Sequence, residues 1–509
     1  MNWIFVFLKR TFPVLLLALA LPSLLAADVY VQSRVYKVGP GQAYLNLSNI
    51  AWYSLQPGDR VEIYPRLNAS GQIIPYKEKI LLATSGNSQL PILVTGMPGP
   101  TGEFPILDGQ DATTDTQFQF LYGGIEKRGL FTVSTDKRHA YGYKPQHIVI
   151  QNLELRNAHP KYSFTDSTGT LTDYNENVAA LYVERGENIT IKNCRITGSG
   201  NGVFVQSAKS TDPAQPDAAV SRDILLEGNL ILENGVSGSN LYHNVYTEAS
   251  NMTFRFNHIG KATEGAEGAS LKDRSAGTII EYNFIECVSR CLDLVDPNSS
   301  SGILNLEAAY SNTFVYGNVF QNSPPAASVL FNFGGDTGNT AQYRQTLNFY
   351  HNTVVSESNK SDNWRITFFN FSTDAQKGNL QNNIFYIYPD NPGAERSIFC
   401  LTKGTGKFTL NKNWFNKTWF PAREDGTGKT PGFNITGSGN ILTNSKDDAG
   451  FMNLSNGDYH LKARSQNLNK ARDLPGEFPP VLMQYTDLAG ISRNQVGTAM
   501  DLGAFEDRA

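Results

Sequence analysis

The sequence has few charged residues and no run of basic ones. Lys, Arg, Asp and Glu make up 18% of the 509 residues, and the formal net charge is −4 at pH 7. Proteins that bind nucleic acids normally carry a basic stripe or a clustered basic segment. The composition therefore excludes nucleic acid as the expected partner.

Cysteine is also scarce, and the spacings of Cys194, Cys287, Cys291 and Cys400 do not match a zinc site. Cys287 and Cys291 are close enough in sequence to form a disulfide in an oxidising compartment, and the sequence leaves that question open. Cys194 follows an asparagine where other segments have Leu, Phe or Ile. We expect it to be a buried core residue.

Long apolar runs are missing except at the N-terminus. Residues 11–26 are almost wholly apolar and follow two basic residues, which is the pattern of an export signal. We predict a signal segment at residues 1–27, cleaved after Ala26 or Ala27, and a secreted protein that is periplasmic or extracellular. An uncleaved membrane anchor is the alternative. No other stretch is long and apolar enough to cross a bilayer, so cleavage would leave no stable membrane insertion.

What the chain has instead is a recurring asparagine. Each copy follows a short β-branched or aromatic run and precedes one or two further apolar residues, at intervals of 26 to 41 residues. The nine positions are Asn152, Asn193, Asn229, Asn257, Asn283, Asn318, Asn352, Asn383 and Asn413.

This pattern is typical of short strands joined by tight bends, with asparagine in the bend because it tolerates the left-handed backbone region. Stacked coils would pair their strands in parallel about 4.8 Å apart and align the Asn amides in a hydrogen-bonded ladder. We predict an all-β fold, a right-handed parallel β-helix. A β-propeller is the alternative, but it requires four antiparallel strands in each repeat, and only one strand-bend-strand signal is visible here.

The two ends do not follow the asparagine rhythm. We predict that the β-helix with its N-terminal cap spans residues 28–420, and that a closing segment packed on the helix spans 421–509. Residues 35–65 indicate a strand, a short amphipathic helix, a Pro-Gly-Asp turn and another strand. A solenoid needs its first open edge covered, so this helix is the expected cap.

Counting back from each asparagine aligns a further set of strands at residues 181–184, 203–206, 245–248 and 271–274. Alternate side chains of a strand point to opposite faces. The inward positions are then Leu181, Val183, Val203, Val205, Val245, Leu271, Leu292 and Leu294. The outward positions form one row of Tyr182, Phe204, Tyr246, Lys272 and Asp293, and a second row of Glu184, Gln206, Glu248, Arg274 and Val295.

The last member of the first row is open to an alternative. The interval between Asn283 and Asn318 contains two candidate strands, CLDLVD and ILNLEA. If the second one is stacked, Glu307 and not Asp293 lies beside Lys272.

An exposed row of Tyr182, Phe204 and Tyr246 is the kind of surface on which sugar rings stack, so we predict substrate contacts at Tyr182, Phe204, Glu184 and Glu248. There are two alternatives. In one, the aromatic rings only stabilise the stack, and in the other, the long loops at residues 159–177 and 208–221 cover them.

The cations beside the aromatic row suggest chemistry on a uronate. Arg274 can clamp its carboxylate, Lys272 can take the C5 proton, and Tyr246 or His243 can protonate the leaving oxygen. Asp293 is the carboxylate beside Lys272. Surface ion pairs without a function are the simpler interpretation of the two cations.

A hydrolase would instead need two carboxylates at a defined separation. Glu248 and Asp293 are two coils apart, which places them beyond that range. Asp273 points inward beside Thr247 and is expected to be a buried, hydrogen-bonded group. Asp296 follows the strand and stays a possibility.

The segment from His243 to Asn322, with HNVY, MTFRFNHI, LKDRS, IIEYNFI, CLDLVDPN and FVYGNVF, resembles secreted bacterial right-handed β-helix proteins of the pectin-lyase-like superfamily. More distantly, EGASLKDRS followed by TIIEYNFIE is similar to the alginate lyase and chondroitinase B group. That resemblance implies Lys272 as the base and Glu267 as a calcium ligand. The group has an arginine in the following coil, and this chain has none on that strand.

Three hypotheses follow. The first is a lyase or C5-epimerase acting on a uronate-containing polymer, the second is a non-catalytic glycan-binding surface protein, and the third is a glycoside hydrolase. In each case the expected partner is an acidic polysaccharide, the protein is expected to be a monomer, and calcium is the one cofactor to be considered.

Overall fold

The computed structural model describes residues 33–323, 327, 329–357, 366–388, 399–402, 406–416, 420–422, 434–443 and 449–506. The predicted signal segment at 1–27 lies outside these residues. In the described part of the chain, no helix is long and apolar enough to cross a membrane.

Three sheets run along a solenoid, and from the strand Gln146–Gln151 onward each turn of the chain adds one strand to each sheet. Within the described residues, sheet 1 has 13 strands, all paired in parallel. They are Val35–Val38, Arg60–Ile63, Ile92–Gly96, Gln146–Gln151, Glu187–Lys192, Arg222–Glu227, Ser250–Arg255, Ile279–Glu281, Asn312–Tyr316, Thr346–Tyr350, Lys377–Gln381, Lys407–Asn411 and Asn434–Thr436.

Sheet 2 has 11 described strands and is likewise parallel. They are Ile106–Asp108, Glu154–Arg156, Arg195–Thr197, Leu230–Ile231, His258–Ile259, Phe284–Glu286, Val319–Asn322, Thr353–Glu357, Ile384–Tyr388, Trp414–Phe415 and Ile441–Leu442.

Sheet 3, which carries the predicted rows, has 14 described strands and one antiparallel pair at its first edge. In spatial order they are Leu171–Asp173, Ser163–Thr165, Thr113–Thr114, Glu78–Leu82, Gly129–Ser134, Ala179–Glu184, Asn201–Gln206, Val245–Thr247, Leu271–Asp273, Leu292–Leu294, Val329–Phe333, Ile366–Phe371, Phe399–Thr402 and Phe420–Ala422. The predicted parallel β-helix is confirmed.

The remaining elements are short. Three two-stranded hairpins pair Arg66–Leu67 with Ile73–Ile74, Phe451–Asn453 with Asp458–Leu461, and Met483–Thr486 with Ala489–Ser492. The described helices are one α-helical turn at Gly123–Glu126 and 3₁₀ turns at Leu47–Asn49, Trp52–Ser54, Pro216–Ala219, Leu304–Leu306, Ala308–Ser311, Thr340–Gln342 and Leu454–Asn456.

The asparagine ladder lies at the bend between sheets 1 and 2. From Asn229 to Asn413, each buried Asn amide donates to the next Asn side-chain oxygen and to a backbone carbonyl of the preceding coil. Asn318 Nδ2, for example, lies 3.0 Å from Asn352 Oδ1 and 2.9 Å from the carbonyl of Ile280. The ladder therefore joins successive coils. It also pairs Asn amide groups that burial would otherwise leave without a hydrogen-bond partner.

The nine asparagines divide into two groups. Asn152 and Asn193 take the predicted left-handed backbone conformation, with φ of 59° and 48°, whereas from Asn229 to Asn413 the residue before each asparagine takes it, so that part of the prediction was wrong. In the coils of Asn152 and Asn193, Leu153 and Cys194 occupy the ladder positions, and the backbone N–H of Cys194 donates to Asn229 Oδ1 at 3.0 Å. Cys194 is buried as expected. The prediction of one ladder through all nine asparagines was wrong, because Asn152 and Asn193 lie one position early.

The predicted N-terminal helix is replaced by the two 3₁₀ turns Leu47–Asn49 and Trp52–Ser54. Side chains from other parts of the chain accept hydrogen bonds from their backbone amides, with Ser48 N donating to Glu78 at 2.7 Å and Trp52 N to Gln117 at 3.2 Å. These bonds satisfy groups that a continuous helix would pair internally.

The C-terminal segment lies along the flank of the solenoid. Its described residues 449–506 run back toward earlier coils, since Gln381 Nε2 donates to the carbonyl of Asp473 at 3.0 Å and Leu482 N donates to Tyr282 Oη at 3.0 Å. These contacts pack the described part of the segment on the side of the coils.

Candidate active site

The outward row of sheet 3 has the predicted register. Tyr182, Phe204, Tyr246, Lys272 and Asp293 occupy matching positions in five successive parallel strands. The inward residues beside them are buried in the core, as expected from the alternation. The strand that contains Asp293 is therefore the stacked one.

Glu307, the alternative to Asp293, lies outside the sheet. It follows the 3₁₀ turn Leu304–Leu306 and accepts hydrogen bonds from Ser250 Oγ at 2.6 Å and Arg222 Nη2 at 3.2 Å. Glu307 is not part of the outward row.

Two of the three aromatic residues of the row are covered, which corrects the expected exposed platform, while Tyr246 is half-buried. Tyr182 is 0% exposed and Phe204 is 7% exposed. The Tyr182 hydroxyl accepts from Arg128 Nη1 at 3.1 Å and donates to Gln206 Oε1 at 2.7 Å, while Phe204 stacks on Tyr246 with centroids 4.7 Å apart. Arg128 comes from the preceding coil, so a neighbouring side chain fills the space that a sugar ring would need.

The second row is buried as well. Glu248 accepts hydrogen bonds from the backbone amides of Ser300 at 2.6 Å and Ser299 at 3.3 Å, and it does not pair with a cation of the site. Burial raises the pKa of the Glu248 carboxyl, although its hydrogen bonds with Ser300 oppose the shift. Glu184 is buried next to Arg185. The expected substrate contacts at Glu184 and Glu248 are therefore not solvent-facing in this structure.

Lys272 and Arg274 converge on one carboxylate that the sequence did not reveal. Asp336 Oδ2 accepts from Lys272 Nζ at 2.9 Å and from Arg274 Nη2 at 2.8 Å. The Asp336 side chain is 38% exposed, against 12% for Lys272 and 6% for Arg274. We call the two cations the cation cradle, and Asp336 is its solvent-facing occupant.

Asp336 belongs to the loop that follows the strand Val329–Phe333. Its backbone N–H donates to Asp296 Oδ1 at 2.9 Å, and the hydroxyl of Thr337 also donates to Asp296. The sequence Gly334-Gly335-Asp336-Thr337-Gly338 is a turn signal, but nothing local indicates which coil the turn reaches.

Asp293 is the buried carboxylate of the site. Its oxygens accept from Lys272 Nζ at 2.6 Å, Arg290 Nη1 at 3.0 Å and Asn332 Nδ2 at 2.7 Å. Burial favours the protonated form, but Lys272 and Arg290 outweigh that effect and bring the pKa of Asp293 down to about 2. The pKa of Asp336 is also lowered, because the hydrogen bond and charge of Arg274 outweigh partial burial. Both carboxylates are ionised at neutral pH.

The two acid candidates lie next to the cradle. The Tyr246 hydroxyl is 3.0 Å from Arg274 Nε, and its ring meets the ring of His243 edge-on with centroids 5.4 Å apart. Burial and the charge of Lys272 lower the pKa of His243 to about 3, so its imidazole is neutral at neutral pH. His243 Nδ1 accepts from the backbone N–H of Ala269 at 2.9 Å, which leaves the ring proton on Nε2.

Asp273 is buried as expected and forms no part of the cradle. It accepts from Thr247 Oγ1 at 2.7 Å and from Arg344 Nη2 at 2.6 Å. Arg344, which the sequence did not single out, is 1% exposed. This buried ion pair therefore stabilises, from the interior, the part of sheet 3 that carries the site.

Cys287 and Cys291 form a disulfide, which settles the question left open by the sequence. It closes the turn between the strands Phe284–Glu286 and Leu292–Leu294. Arg290 lies within that turn, so the crosslink restrains the residue that pairs with Asp293.

Glu267, the calcium ligand implied by the resemblance, is exposed on the loop before Leu271–Asp273. Among the residues that the structure describes, no three His, Cys, Asp or Glu side chains converge as a metal site would require.

The chain is distantly similar in structure to polysaccharide lyases and glycoside hydrolases with β-helix folds. It matches an alginate lyase from Paenibacillus sp. str. FPU-7 with 13% identity and a TM-score of 0.42, over 67% of this chain and 92% of that one. It matches the pectate lyase Pel9A with 12% identity and a TM-score of 0.44, over 94% and 97%. It matches the GH136 lacto-N-biosidase from Eubacterium ramulus with 10% identity and a TM-score of 0.43, over 81% and 68%.

These likenesses concern the fold alone. No protein-family model and no curated protein matches the chain. The chemistry has to be argued from the site itself.

Proposed function

We propose that the protein is a polysaccharide lyase that cleaves a uronate-containing polymer by β-elimination at the cation cradle. The observation that carries the proposal is the convergence of Lys272 and Arg274 on one oxygen of a solvent-facing carboxylate, Asp336. A uronate carboxylate has the same charge and shape, and it can take the place of Asp336 when the loop moves aside. An export signal at residues 1–27 would bring the protein to extracellular glycans.

The roles follow from the geometry. Arg274 holds the uronate carboxylate and withdraws charge from C5. Lys272 is an ammonium in the free protein and first releases a proton to solvent; its neutral amine then takes the C5 proton, and Asp293 stabilises the ammonium that forms again. The electron pair of the C5–H bond becomes the C4–C5 double bond, the C4–O bond breaks, and the Tyr246 hydroxyl protonates the leaving oxygen. Neutral His243 packs against Tyr246 and orients its ring.

The same site is a poor fit to glycoside hydrolysis. That reaction needs one carboxyl group that is protonated near neutral pH. The pKa values of Asp293 and Asp336 are both lowered, and Glu248, whose pKa is raised, is buried under Ser299 and Ser300. The protonation states of these carboxyl groups favour elimination over hydrolysis.

The test is incubation of the purified protein with alginate, pectate, chondroitin and hyaluronan, each with and without calcium. A lyase releases unsaturated sugars that absorb in the ultraviolet. We expect Lys272→Ala and Arg274→Gln to abolish this signal. Arg255→Gln, which removes an arginine paired with Glu227 on sheet 1, is the matched control and should retain it.

Three further outcomes would replace the proposal. New reducing ends without ultraviolet absorbance would indicate a hydrolase, altered sugars in an uncut chain would indicate an epimerase, and retention of an intact polymer would indicate a glycan-binding protein. Elimination that persists in Lys272→Ala would show that the base is a different residue.

A further inference from the structure

Arg185 is a buried cation whose hydrogen-bonding groups are incompletely paired. It directly follows the strand Ala179–Glu184 and is 6% exposed. Among the described residues, its Nε and Nη1 atoms are buried and have no hydrogen-bond acceptor. Glu184 Oε1 lies 3.6 Å from Nε, which makes an ion pair but is too far for a hydrogen bond. Buried guanidinium groups are normally fully paired, so this position lacks an acceptor.

Two tyrosines flank the guanidinium, and they are held differently. The ring centroids of Tyr122 and Tyr141 lie 5.6 and 5.8 Å from Arg185 Cζ. The Tyr141 hydroxyl is fixed by Ser210 and by the backbone N–H of Thr211. Tyr122 is 49% exposed, and the two glycines that follow it have open space around them. Tyr122 is therefore the neighbour of Arg185 that an incoming ligand can displace.

Arg185 lies on the same outer wall as the cation cradle. Oε2 of Glu184 beside it lies 3.3 Å from the hydroxyl oxygen of Tyr182, the first residue of the outward row. The strand Ala179–Glu184 is separated from Leu271–Asp273 by three strand spacings of sheet 3. At about 4.8 Å per spacing, the two cationic positions are about 14 Å apart along the solenoid axis.

We infer that Arg185 is a second carboxylate-binding subsite, which holds a distant uronate of the same polymer whose reacting uronate occupies the cradle. The inference rests on the proposed function and extends it, because it makes the substrate a chain with at least two separated carboxylates. The guanidinium supplies the planar donors that a carboxylate accepts. Tyr122 moves aside and covers the bound sugar.

The experiment measures the affinity of oligouronates of increasing length, from the disaccharide upward, for wild-type protein, Arg185→Gln and Arg185→Lys. The oligomers are prepared from the polymer that the wild type binds. To prevent cleavage, the three proteins are compared with Lys272→Ala added to each of them. We expect affinity to rise steeply once the chain spans both cations. Arg185→Gln should lose about tenfold or more for those longer oligomers and leave the short ones unchanged.

Arg185→Lys keeps the charge but not the planar fork, so it should recover only part of the lost affinity. Arg195→Gln, which removes a half-exposed arginine on sheet 2, is the matched control and should bind every length like wild type. The thermal midpoint of Arg185→Gln should fall only slightly, because the substitution takes away the cation 3.6 Å from the buried Glu184 carboxylate but also removes buried donors that have no acceptor.

The inference is overturned if Arg185→Gln binds long oligomers as well as wild type does, or if it weakens short and long oligomers equally. A marked fall in its thermal midpoint would likewise assign Arg185 to the fold. If wild-type protein binds no oligouronate of any length, the proposed function itself fails, and that result is distinct from the others.

Discussion

Lys272 and Asp293 are direct neighbours in adjacent parallel strands, and their Nζ and Oδ2 atoms are 2.6 Å apart. Both side chains leave the same face of sheet 3. The ion pair is almost completely buried, with the Asp293 side chain 4% exposed. It therefore contributes to the stability of the folded protein as well as to the charge of the site.

The first prediction concerns the pH dependence of stability. The pKa of Asp293 is about 2 in the folded protein and about 3.8 ordinarily. A lowered folded pKa gives stability that is fully present above the ordinary value and is lost as the pH falls through the folded value. Asp293 should thus contribute about 2 kcal/mol at pH 6 that disappears between about pH 5 and pH 2.

Denaturant unfolding of wild type and Asp293→Asn across this range measures the effect. The gap between their free energies of unfolding should narrow by about 2 kcal/mol as the pH is lowered. A gap that stays constant with pH would show that the pKa of Asp293 is not lowered in the folded state.

The second prediction concerns the occupant of the cation cradle. Asp336→Asn removes the carboxylate that competes with a substrate carboxylate for Lys272 and Arg274. We expect several-fold tighter binding of oligouronates and only a small loss of stability, about 1 kcal/mol or less, because Asp336 is partly exposed.

Calorimetric titration with an oligouronate tests this, with Asp217→Asn as the control on an exposed loop. Weaker binding by Asp336→Asn would mean that Asp336 assists substrate binding and does not compete with it.

The third prediction concerns the buried pair beneath the site. Arg344→Met leaves the Asp273 carboxylate without its cation in the interior, and we expect a loss of about 3–5 kcal/mol in the free energy of unfolding. The double variant Arg344→Met/Asp273→Asn removes the isolated charge, keeps an acceptor oxygen for one of the Thr247 and Thr278 hydroxyls and offers an amide donor to the other. It should be more stable than the single variant. Equal or lower stability in denaturant unfolding would show that the isolated charge does not cause the loss.

The fourth prediction separates ladder asparagines from bend asparagines. Asn318→Ala removes an acceptor for Asn283 and a donor to Asn352 in the buried ladder, so the free energy of unfolding should fall by about 3 kcal/mol or more. Asn193→Gly should change it by no more than about 0.5 kcal/mol, because Asn193 is exposed and its φ of 48° suits glycine. Similar losses in thermal or denaturant unfolding would mean that both residues belong to one ladder.

Local periodicity made much of the fold predictable. The asparagine bends mark where one strand ends and the next begins, and strand alternation assigns each neighbour to the core or the surface. Those two rules are enough to align Tyr246 and Lys272, because stacked coils repeat the same geometry at a fixed spacing, but they left Asp293 and Glu307 as alternatives for the next position. The shifted positions of Asn152 and Asn193 show where the rule fails, since an asparagine can occupy either of two adjacent places in the bend.

The order of residues along the chain was sufficient for the stack of strands and for the outer row from Tyr182 to Lys272, because both depend on short-range periodicity that each coil repeats. The solvent exposure of that row, and the hydrogen-bond and ion-pair partners of its side chains, depended on long-range packing. Arg128 closes over Tyr182, Ser300 covers Glu248, and Asp336 reaches Lys272 from a loop 64 residues away. Such contacts depend on how loops of irregular length pack together, and no repeating pattern in the sequence specifies that packing.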